Sequence, residues 1–261
     1  MEQIAKILRK DALYLSYKCQ DGNLQSVFSC IDIVCVLYDK IMNWSAEQAQ
    51  DENRDFFIIS KGQATLALFP VLIKKGFFDL SEFDNMGSFD SRMCIQTDVT
   101  KFQGGVENSA GSLGHGLPYA VGIAFANKIK KLDSKVYVLV GDGEFCEGTM
   151  WESCLFAAGK KLDNLCIIID DNNSVAAMIE MGSFEKKLEA FGFEVKSVNG
   201  HDMENIEKAF FSYHEVGKPK VLIAKTVRGY GSETMRMNDI WFHKAPNEME
   251  LEQLQKEVDD F

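Results

Sequence analysis

The chain has 261 residues, of which 46% are hydrophobic, and a formal net charge of −11 at pH 7. This length and composition suit a globular protein with a large core, and the acidic balance argues against binding to nucleic acid or to an anionic membrane surface. The charge does not exclude an anionic cofactor, because a divalent cation and backbone dipoles supply positive potential locally.

The N-terminal segment has apolar residues at helical spacing, and charges interrupt every apolar run. It contains no apolar region typical of a signal peptide, and no stretch of the chain approaches the roughly eighteen apolar residues of a membrane span. The seven cysteines include no CxxC pair, which is typical of reduced thiols. We therefore expect a cytoplasmic protein that binds no membrane.

The predicted elements alternate between helices and strands along the chain. Ser29 with Asp32 has the pattern of a capping box at the start of a helix that runs to about residue 42. The other predicted elements are a helix at 4–18, a strand at 56–60, a helix at 64–75 that Pro70 bends unless it falls in the first turn, an irregular segment at 79–104, a helix at 114–131, strands at 136–140, 165–169 and 193–198, a helix at 203–213, a strand at 221–225 and a helix from about 248. The alternation predicts one α/β domain over residues 1–261, with a mostly parallel sheet and helices on both faces.

Two short apolar runs in the middle of the chain end in polar residues. The first stops at GDG (residues 141–143) and the second ends in DDNN (residues 170–173). A helix-length segment separates them, and a right-handed βαβ crossover brings both strand ends to the same edge of the sheet. Ligands bind at that edge in open α/β sheets. We therefore expect Asp142 and Asn172 to lie side by side.

Asp142 and Asn172 supply hard oxygen ligands beside two glycines. Mg²⁺ prefers oxygen donors and usually takes one or two protein side chains, with phosphate oxygens and water completing the shell. Gly141 and Gly143 would let a phosphate approach the backbone without meeting a Cβ atom. Alternatively, GDG is an ordinary turn in which Asp142 caps the following helix. The presence of DDNN at βαβ distance favours a metal and diphosphate site.

GDG followed about thirty residues later by NN resembles the thiamine diphosphate signature. The wider pattern is similar to the transketolase family in motifs over nearly the whole chain: SKGQA at 60–64, GSLGHGLPYAVG at 111–122, GDGEFCEGTMWES at 141–153, VNGHD at 198–202, KTVRGYG at 225–231 and WFHKAP at 241–246. The resemblance implies the thiamine diphosphate-binding fold of the diphosphate-binding (PP-type) domain. The chain has only the length of the N-terminal part of a full transketolase.

The resemblance also implies which residues hold thiamine diphosphate and Mg²⁺ (or Ca²⁺). Asp142, Asn172 and the Ser174 carbonyl would ligate the metal. Backbone around Gly111 and Leu113 would lie against the aminopyrimidine ring, although by itself this glycine-rich stretch is more readily explained as a tight turn that packs a helix on the sheet. The further cofactor-binding candidates are Gln63, Gly141, Gly143, Glu144 and His243.

His115, His243 and Gln63 are the catalytic candidates within this chain. His243 or Lys244 would contact phosphate unless their segment is a solvated loop, and His115 would line the site unless it packs. The carboxylate that activates thiamine in this family belongs to the following domain. The resemblance therefore implies a C-terminal partner subunit with the pyrimidine-binding domain, an assembly with two copies of each subunit (α2β2), and a small-molecule substrate.

Glu147 and Glu152 follow GDG by a few positions. Solvated surface carboxylates are the ordinary explanation. Both, however, match acidic positions of the transketolase pattern, where buried carboxylates near the subunit interface help to link two active sites. Buried carboxylates require partners or shared protons. We treat Glu147 and Glu152 as interface candidates.

Four residues of this chain differ from the family pattern at, or next to, positions where the pattern has histidine. They are Asn23, Gln63, Thr97 and Phe242. An amide keeps a hydrogen bond but carries no proton near neutral pH as imidazole does, and loss of donors from a site built for hydroxyl groups reduces discrimination strongly. We expect thiamine diphosphate binding to be retained, with transfer of a two-carbon ketol or related acyl unit that uses a non-standard donor or acceptor.

Two other functions stay open at this point. An α-subunit of a thiamine-dependent 2-oxo acid dehydrogenase or decarboxylase also carries GDG and NN, but SKGQ, GSLGHGLP and the KTVRGYG and KAP motifs are of transketolase type. A non-catalytic relative that has lost its histidines would fail to bind cofactor. The intact Asp142 and Asn172 argue against that second alternative.

Overall fold

The computed structural model describes residues 1–102 and 104–261. The strands of this part form a single parallel sheet with the order β1-β2-β3-β5-β4. The strands are β1 (Phe56–Ile59), β2 (Val136–Gly141), β3 (Leu165–Asp171), β4 (Glu194–Asn199) and β5 (Lys220–Lys225). The five predicted strands and their parallel arrangement are confirmed.

Helices cover both faces of the sheet, as predicted. They are α1 (Glu2–Cys19), α2 (Leu24–Val36), α3 (Phe69–Lys74), α4 (Glu82–Asn85), α5 (Gly116–Lys130), α6 (Gly148–Gly159), α7 (Phe184–Phe191), α8 (Met203–Phe211), α9 (Glu233–Arg236) and α10 (Glu248–Asp260). A π-helical turn, Leu37–Ile41, continues α2. Helices α7 and α9 were not among the predicted elements.

Alternate strand residues enter two separate apolar cores, because successive side chains point to opposite faces of a sheet. Leu139 and Ile168 belong to the core that also holds side chains of α1, α2, α8 and α10. Val138 and Ile167 belong to the core that holds side chains of α5, α6 and α7. Burial on both faces explains why the strands are continuous apolar runs.

The predicted start of the second helix at Ser29 is wrong. Helix α2 begins at Leu24, and Asn23 caps it through its Oδ1, which accepts a hydrogen bond from Ser26 N at 3.1 Å. Ser29 and Asp32 lie inside the helix and are buried. Their side chains bind distant residues instead of the helix end, which is why their spacing misled the prediction.

The segment predicted as a helix at 64–75 consists of two pieces. A 3₁₀ segment, Gly62–Ala67, precedes α3, and Pro70 falls in the first turn of α3, where its missing N–H costs nothing. The region predicted as irregular, residues 79–104, is irregular except for α4 and the 3₁₀ turn Val99–Lys101. Residue 103 of that region lies outside the described residues.

Neither a disulfide nor a membrane-spanning helix occurs in the described part of the chain. All seven cysteines are free thiols, and burial raises the pKa of Cys30 and of Cys154 to about 12. These buried thiols therefore stay protonated at neutral pH. Within residues 1–102 and 104–261, no helix combines the length and apolar character that a bilayer span requires.

Candidate functional site

A cavity of about 650 Å³ opens at the sheet edge where β1, β2 and β3 end. The register of β2 and β3 pairs Gly141 with Asp170, which brings the GDG and DDNN segments together as predicted. The predicted site residues that line the cavity are Gln63, Leu113, Gly141, Gly143, Glu144, Asn172, Ser174 and His243. A smaller cavity of about 230 Å³, lined by residues such as Tyr137 and Tyr213, has none of the predicted site residues in its wall.

Asp142 lies beneath the cavity wall and is fully buried. Its Oδ1 accepts hydrogen bonds from Gly143 N at 2.9 Å and from the Ser174 hydroxyl, and its Oδ2 accepts one from Val175 N at 3.0 Å. The carboxylate therefore fastens the loop after β3 to the end of β2. The sequence predicted this proximity from the βαβ spacing alone.

Asn172 and Ser174 complete a group of oxygen atoms with Asp142, which we call the oxygen site. Asn172 Oδ1 accepts a hydrogen bond from Ser174 N at 3.1 Å. Asn173 between them has a left-handed backbone with φ of 62°, which asparagine tolerates better than most residues. The described residues contain no group of three or more His, Cys, Asp or Glu side chains suited to a metal. The oxygen site is instead a mixed set, and carboxylate, amide and carbonyl oxygens suit Mg²⁺ or Ca²⁺.

Gly141 leaves open space beside the oxygen site. A Cβ atom added at Gly141 would meet no atom within 4 Å, and one at Gly143 would meet Met178 Cε at 3.3 Å. Both glycines line the cavity. A side chain at Gly141 would occupy the space from which a phosphate could reach the backbone, so the arrangement fits a diphosphate group.

Glu144 connects three segments at the edge of the cavity. Its Oε1 accepts hydrogen bonds from Ser60 Oγ at 2.7 Å and Gly114 N at 2.8 Å, and its Oε2 accepts one from Gly141 N at 2.9 Å. Only 1% of the residue is exposed, and burial raises the pKa of Glu144 despite these hydrogen bonds. Glu144 thereby fixes the ends of β1 and β2 relative to the glycine turn (residues 111–116).

The glycine turn leads directly into α5, whose first residue is Gly116. Leu113 is 39% exposed and lines the cavity, whereas Gly111 is exposed and is not among the lining residues. His115 is also exposed, and its Nδ1 lies 3.3 Å from Leu113 O. His115 precedes the first residue of α5 and does not line the cavity, so its catalytic role stays a prediction.

Comparison with known proteins decides the family. Residues 1–258 match the family described as transketolase, thiamine diphosphate binding domain. The chain belongs to the transketolase family. The resemblance inferred from the motifs is therefore confirmed, and residues 1–258 match the thiamine diphosphate-binding domain of that family.

Two relatives share nearly the whole length of this transketolase-family chain. The chain is 34% identical over 258 residues to one subunit of the apulose-4-phosphate transketolase of Phocaeicola vulgatus, covering 97% of this chain and 91% of that protein. It is 34% identical over 266 residues to the protein of the same name in Actinobacillus succinogenes, covering 100% and 96%. The crystal structure of transketolase from Campylobacter jejuni matches with a TM-score of 0.91 and 28% identity, covering 99% of this chain and 42% of that one.

Two of the four positions that depart from the transketolase pattern line the cavity. They are Gln63 and Phe242, and the Phe242 ring lies edge-on to the His243 ring with centroids 4.8 Å apart. His243 lines the cavity, whereas Lys244 instead contacts Glu250. Of the two residues predicted to contact phosphate, His243 is therefore the one that faces the cavity.

The other two positions have structural contacts away from the cavity wall. Asn23 caps α2, and its Nδ2 is buried without a hydrogen-bond partner among the described residues. Thr97 is buried, and its Oγ1 accepts a hydrogen bond from Ala110 N at 3.1 Å, next to the glycine turn. Their influence on the substrate of this transketolase-family chain stays a prediction.

Glu147 and Glu152 are exposed in the single chain. Glu147 immediately precedes α6, and Glu152 lies on that helix. Leu155 and Phe156 on the same helix are 67% and 42% exposed. An exposed apolar surface beside the two carboxylates is compatible with burial against a partner, so their assignment to an interface stays a prediction.

Several lining residues were not among the predicted site residues. They are Ser26, Lys61, Met178, Arg228, Asp239 and Ile240. Arg228 pairs with Asp239 at 3.2 Å. Lys61 and Arg228 lie within the motifs SKGQ and KTVRGYG, which carried the family resemblance without indicating individual contacts. Lys61 and Arg228 could have been predicted as site residues because each is a cationic residue within a family motif.

Proposed function

We propose that this chain is the diphosphate-binding subunit of a two-subunit transketolase that transfers a two-carbon ketol unit. The oxygen site beside Gly141, at the edge of the cavity, carries the proposal. Asp142, Asn172 and the Ser174 carbonyl would hold Mg²⁺ or Ca²⁺, and Gly141 and Gly143 would admit the diphosphate. The bound cofactor supplies the nucleophilic carbon that accepts the ketol unit. The chain works in the cytoplasm.

A partner subunit with the pyrimidine-binding domain completes the active site. In support, the chain spans nearly all of two relatives that are each named as one subunit of a transketolase. The exposed Leu113, Met178 and Ile240 at the cavity offer an apolar surface for such a partner. We propose an assembly with two copies of each subunit, in which Glu147 and Glu152 lie near an interface.

The donor or acceptor of the reaction differs from the usual sugar phosphates. Gln63 and Phe242 in the cavity wall, where the family pattern has histidine, support this proposal. Because both relatives named above are apulose-4-phosphate transketolase subunits, apulose 4-phosphate is the first substrate to test. His115, His243 and Gln63 are the candidates in this chain for contacts with the reacting groups.

A donor screen with the assembled enzyme tests this proposal. The purified chain and its partner would be assayed with ketose phosphates and with pyruvate as donors. We expect turnover of an unusual ketose phosphate and none of pyruvate. Robust turnover of xylulose 5-phosphate with ribose 5-phosphate would contradict the altered specificity, and turnover of pyruvate would favour a 2-oxo acid enzyme.

Asp142→Ala is expected to abolish metal-dependent binding of thiamine diphosphate. The substitution removes the carboxylate that ligates the cation and that fastens Ser174 and Val175 beside it. Calorimetric titration of thiamine diphosphate and Mg²⁺, with and without the partner, provides the measurement. Asp259→Ala, at an exposed residue of α10, is the control and should bind as wild type. Unchanged binding by Asp142→Ala would show that the metal assignment is wrong.

A further inference from the structure

A buried ion pair lies beside the oxygen site. Lys61 follows β1 and is 1% exposed, and its Nζ contacts Oδ2 of Asp170, a fully buried residue near the end of β3. Burial by itself would lower the pKa of Lys61, but the Asp170 carboxylate raises it above its ordinary value. A buried pair contributes little net stability compared with apolar residues of the same volume. The pair is better explained by the positions in which it holds the segments around Asp170.

Asp170 accepts hydrogen bonds from four segments of the chain. Oδ2 accepts them from Lys61 Nζ, from Ser29 Oγ of α2 at 2.5 Å and from Asn172 Nδ2 at 3.3 Å. Oδ1 accepts one from Thr226 Oγ1, just after β5. The carboxylate therefore joins α2 to the ends of β1, β3 and β5, directly behind a predicted metal ligand.

The surroundings of Asn172 permit a single orientation of its amide. Nδ2 faces Asp170 Oδ2 and lies 3.5 Å from Ser29 Oγ, whereas Oδ1 faces Ser174 N. A carboxylate only accepts hydrogen bonds and a backbone N–H only donates. The reversed amide would place two acceptors together at one end and two donors together at the other. The oxygen of Asn172 is therefore held on the side of Ser174, within the oxygen site.

We propose that Asp170, with Lys61 as its counter-ion, is a positioning residue that holds the Asn172 amide oxygen toward the metal. The inference rests on the proposed metal and cofactor site. Asp170 acts through Asn172 and touches neither the cation nor the reacting groups. Partners that orient a metal ligand from behind influence affinity strongly, and their loss typically costs about 10- to 100-fold.

Asp170→Asn tests the proposal in a titration of Mg²⁺ at saturating thiamine diphosphate, with the partner present. The variant is expected to raise the Kd for Mg²⁺ about 10- to 100-fold. Asp171→Asn is the matched control, since it changes the next residue of β3, whose carboxylate pairs with the more exposed Lys225. Its Kd for Mg²⁺ should stay within about two-fold of the wild-type value, because the Asp171 carboxylate bonds Lys225 and the Asn172 amide bonds Ser29, Asp170 and Ser174.

The outcomes separate this inference from the proposed function. If wild type binds neither Mg²⁺ nor cofactor, the proposed function fails. If wild type binds both and Asp170→Asn binds Mg²⁺ as tightly as wild type does, the positioning role of Asp170 is overturned.

A comparison of two cations distinguishes positioning from general loosening of the site. Mg²⁺ demands near-octahedral geometry, whereas Ca²⁺ accepts a flexible shell, so Asp170→Asn should weaken Mg²⁺ binding about five-fold more than Ca²⁺ binding. Equal losses for both cations would contradict the proposal.

Ser29→Ala provides a second variant that keeps the ion pair. It removes one hydrogen bond to Asp170 Oδ2 and the neighbouring contact of Asn172 Nδ2. We expect its Kd for Mg²⁺ to rise about two- to ten-fold, less than for loss of the carboxylate. If Asp170→Asn does not fold, this variant decides the matter, and an unchanged Kd would overturn the proposal.

Discussion

Gly116 determines how closely α5 approaches the end of β1. A Cβ atom at this position would lie 2.5 Å from Ser60 Cβ and 2.6 Å from Ser60 Oγ. The Ser60 hydroxyl accepts a hydrogen bond from Gly116 N at 3.2 Å and donates one to Glu144. A side chain at Gly116 would therefore disturb both the packing of the helix and the hydrogen bonds that hold the glycine turn.

Gly116→Ala is expected to lower the free energy of unfolding by about 1–3 kcal/mol, because the added methyl group overpacks a site with no room. Urea denaturation followed by circular dichroism provides the measurement. Gly122→Ala, in the same helix, is the control. Its Cβ would meet nothing within 4 Å, so it should raise the free energy of unfolding by about 0.5–1 kcal/mol through helix propensity. Equal effects of the two substitutions would contradict this account of Gly116.

Single residues were predictable where one spacing decided their position. Asp142 and Asn172 follow two successive strands of a βαβ unit, and the handedness of that unit brings them together. The ion pair of Lys61 with Asp170 was not predictable, because it joins residues 109 positions apart that no local pattern relates. Asn23 illustrates the same limit, since the family pattern did not indicate that its side chain caps α2.

Among the elements, strands were easier to predict than the ends of helices. Each central strand is a continuous apolar run because helices cover both of its faces. The start of α2 was misplaced because Ser29 and Asp32 have the side chains of a cap but bind Asp170 and Arg9. The identity of an element thus follows from its buried surface, whereas its boundary depends on partners elsewhere in the chain.

Asn23→Ala is expected to lower the free energy of unfolding by about 1 kcal/mol, since it removes the hydrogen bond to Ser26 N at the start of α2. Asn23→Ser, which retains a capping oxygen, should stay within about 0.5 kcal/mol of wild type. Both values can be measured by thermal unfolding. A loss in the serine variant as large as that in the alanine variant would show that capping is not the function of Asn23.

At the scale of the whole molecule, a buried polar cluster joins segments that are far apart in sequence. Arg9 of α1 forms two hydrogen bonds with Asp32 of α2, at 2.9 and 2.7 Å. The Nδ1 of His201 lies 2.9 Å from Asp32 Oδ2, and its Nε2 accepts a hydrogen bond from Val227 N at 2.9 Å. The His201 ring stacks on Tyr230 with centroids 3.5 Å apart. The cluster thus ties the segment that contains Arg228 to the N-terminal helices.

Asp32→Ala is expected to lower the free energy of unfolding by about 3–5 kcal/mol, because it leaves the Arg9 guanidinium buried and unpaired. The double variant Arg9→Met/Asp32→Leu should lose only about 1–2 kcal/mol, since no charge is then left unpaired and the lost partners are those of two neutral groups, the His201 N–H and the Tyr230 carbonyl. Chemical denaturation at neutral pH compares the two. A double variant as unstable as the single one would refute the explanation by an unpaired charge.

The same cluster predicts the acid sensitivity of the fold. Burial of Asp32 opposes its charge, but the His201 hydrogen bond and the adjacent Arg9 outweigh burial and hold the pKa of Asp32 below its ordinary value of 3.8. Its stabilising contribution is therefore complete above that value and is lost as pH falls through the folded-state pKa. Below about pH 4, wild type should lose stability more steeply than Arg9→Met/Asp32→Leu. Parallel acid profiles of unfolding would contradict this expectation.

The cavity takes its two sides from different parts of the chain, and this separation has an evolutionary consequence. The oxygen site follows β2 and β3, whereas Arg228 and Phe242 come from the segment after β5. Mutations in the later segment can therefore reshape that side of the cavity while Asp142, Asn172 and Ser174 of the oxygen site stay unchanged. A lineage can thus alter one wall of the cavity by replacing a single stretch of chain, without passing through an ancestor that has lost the oxygen site.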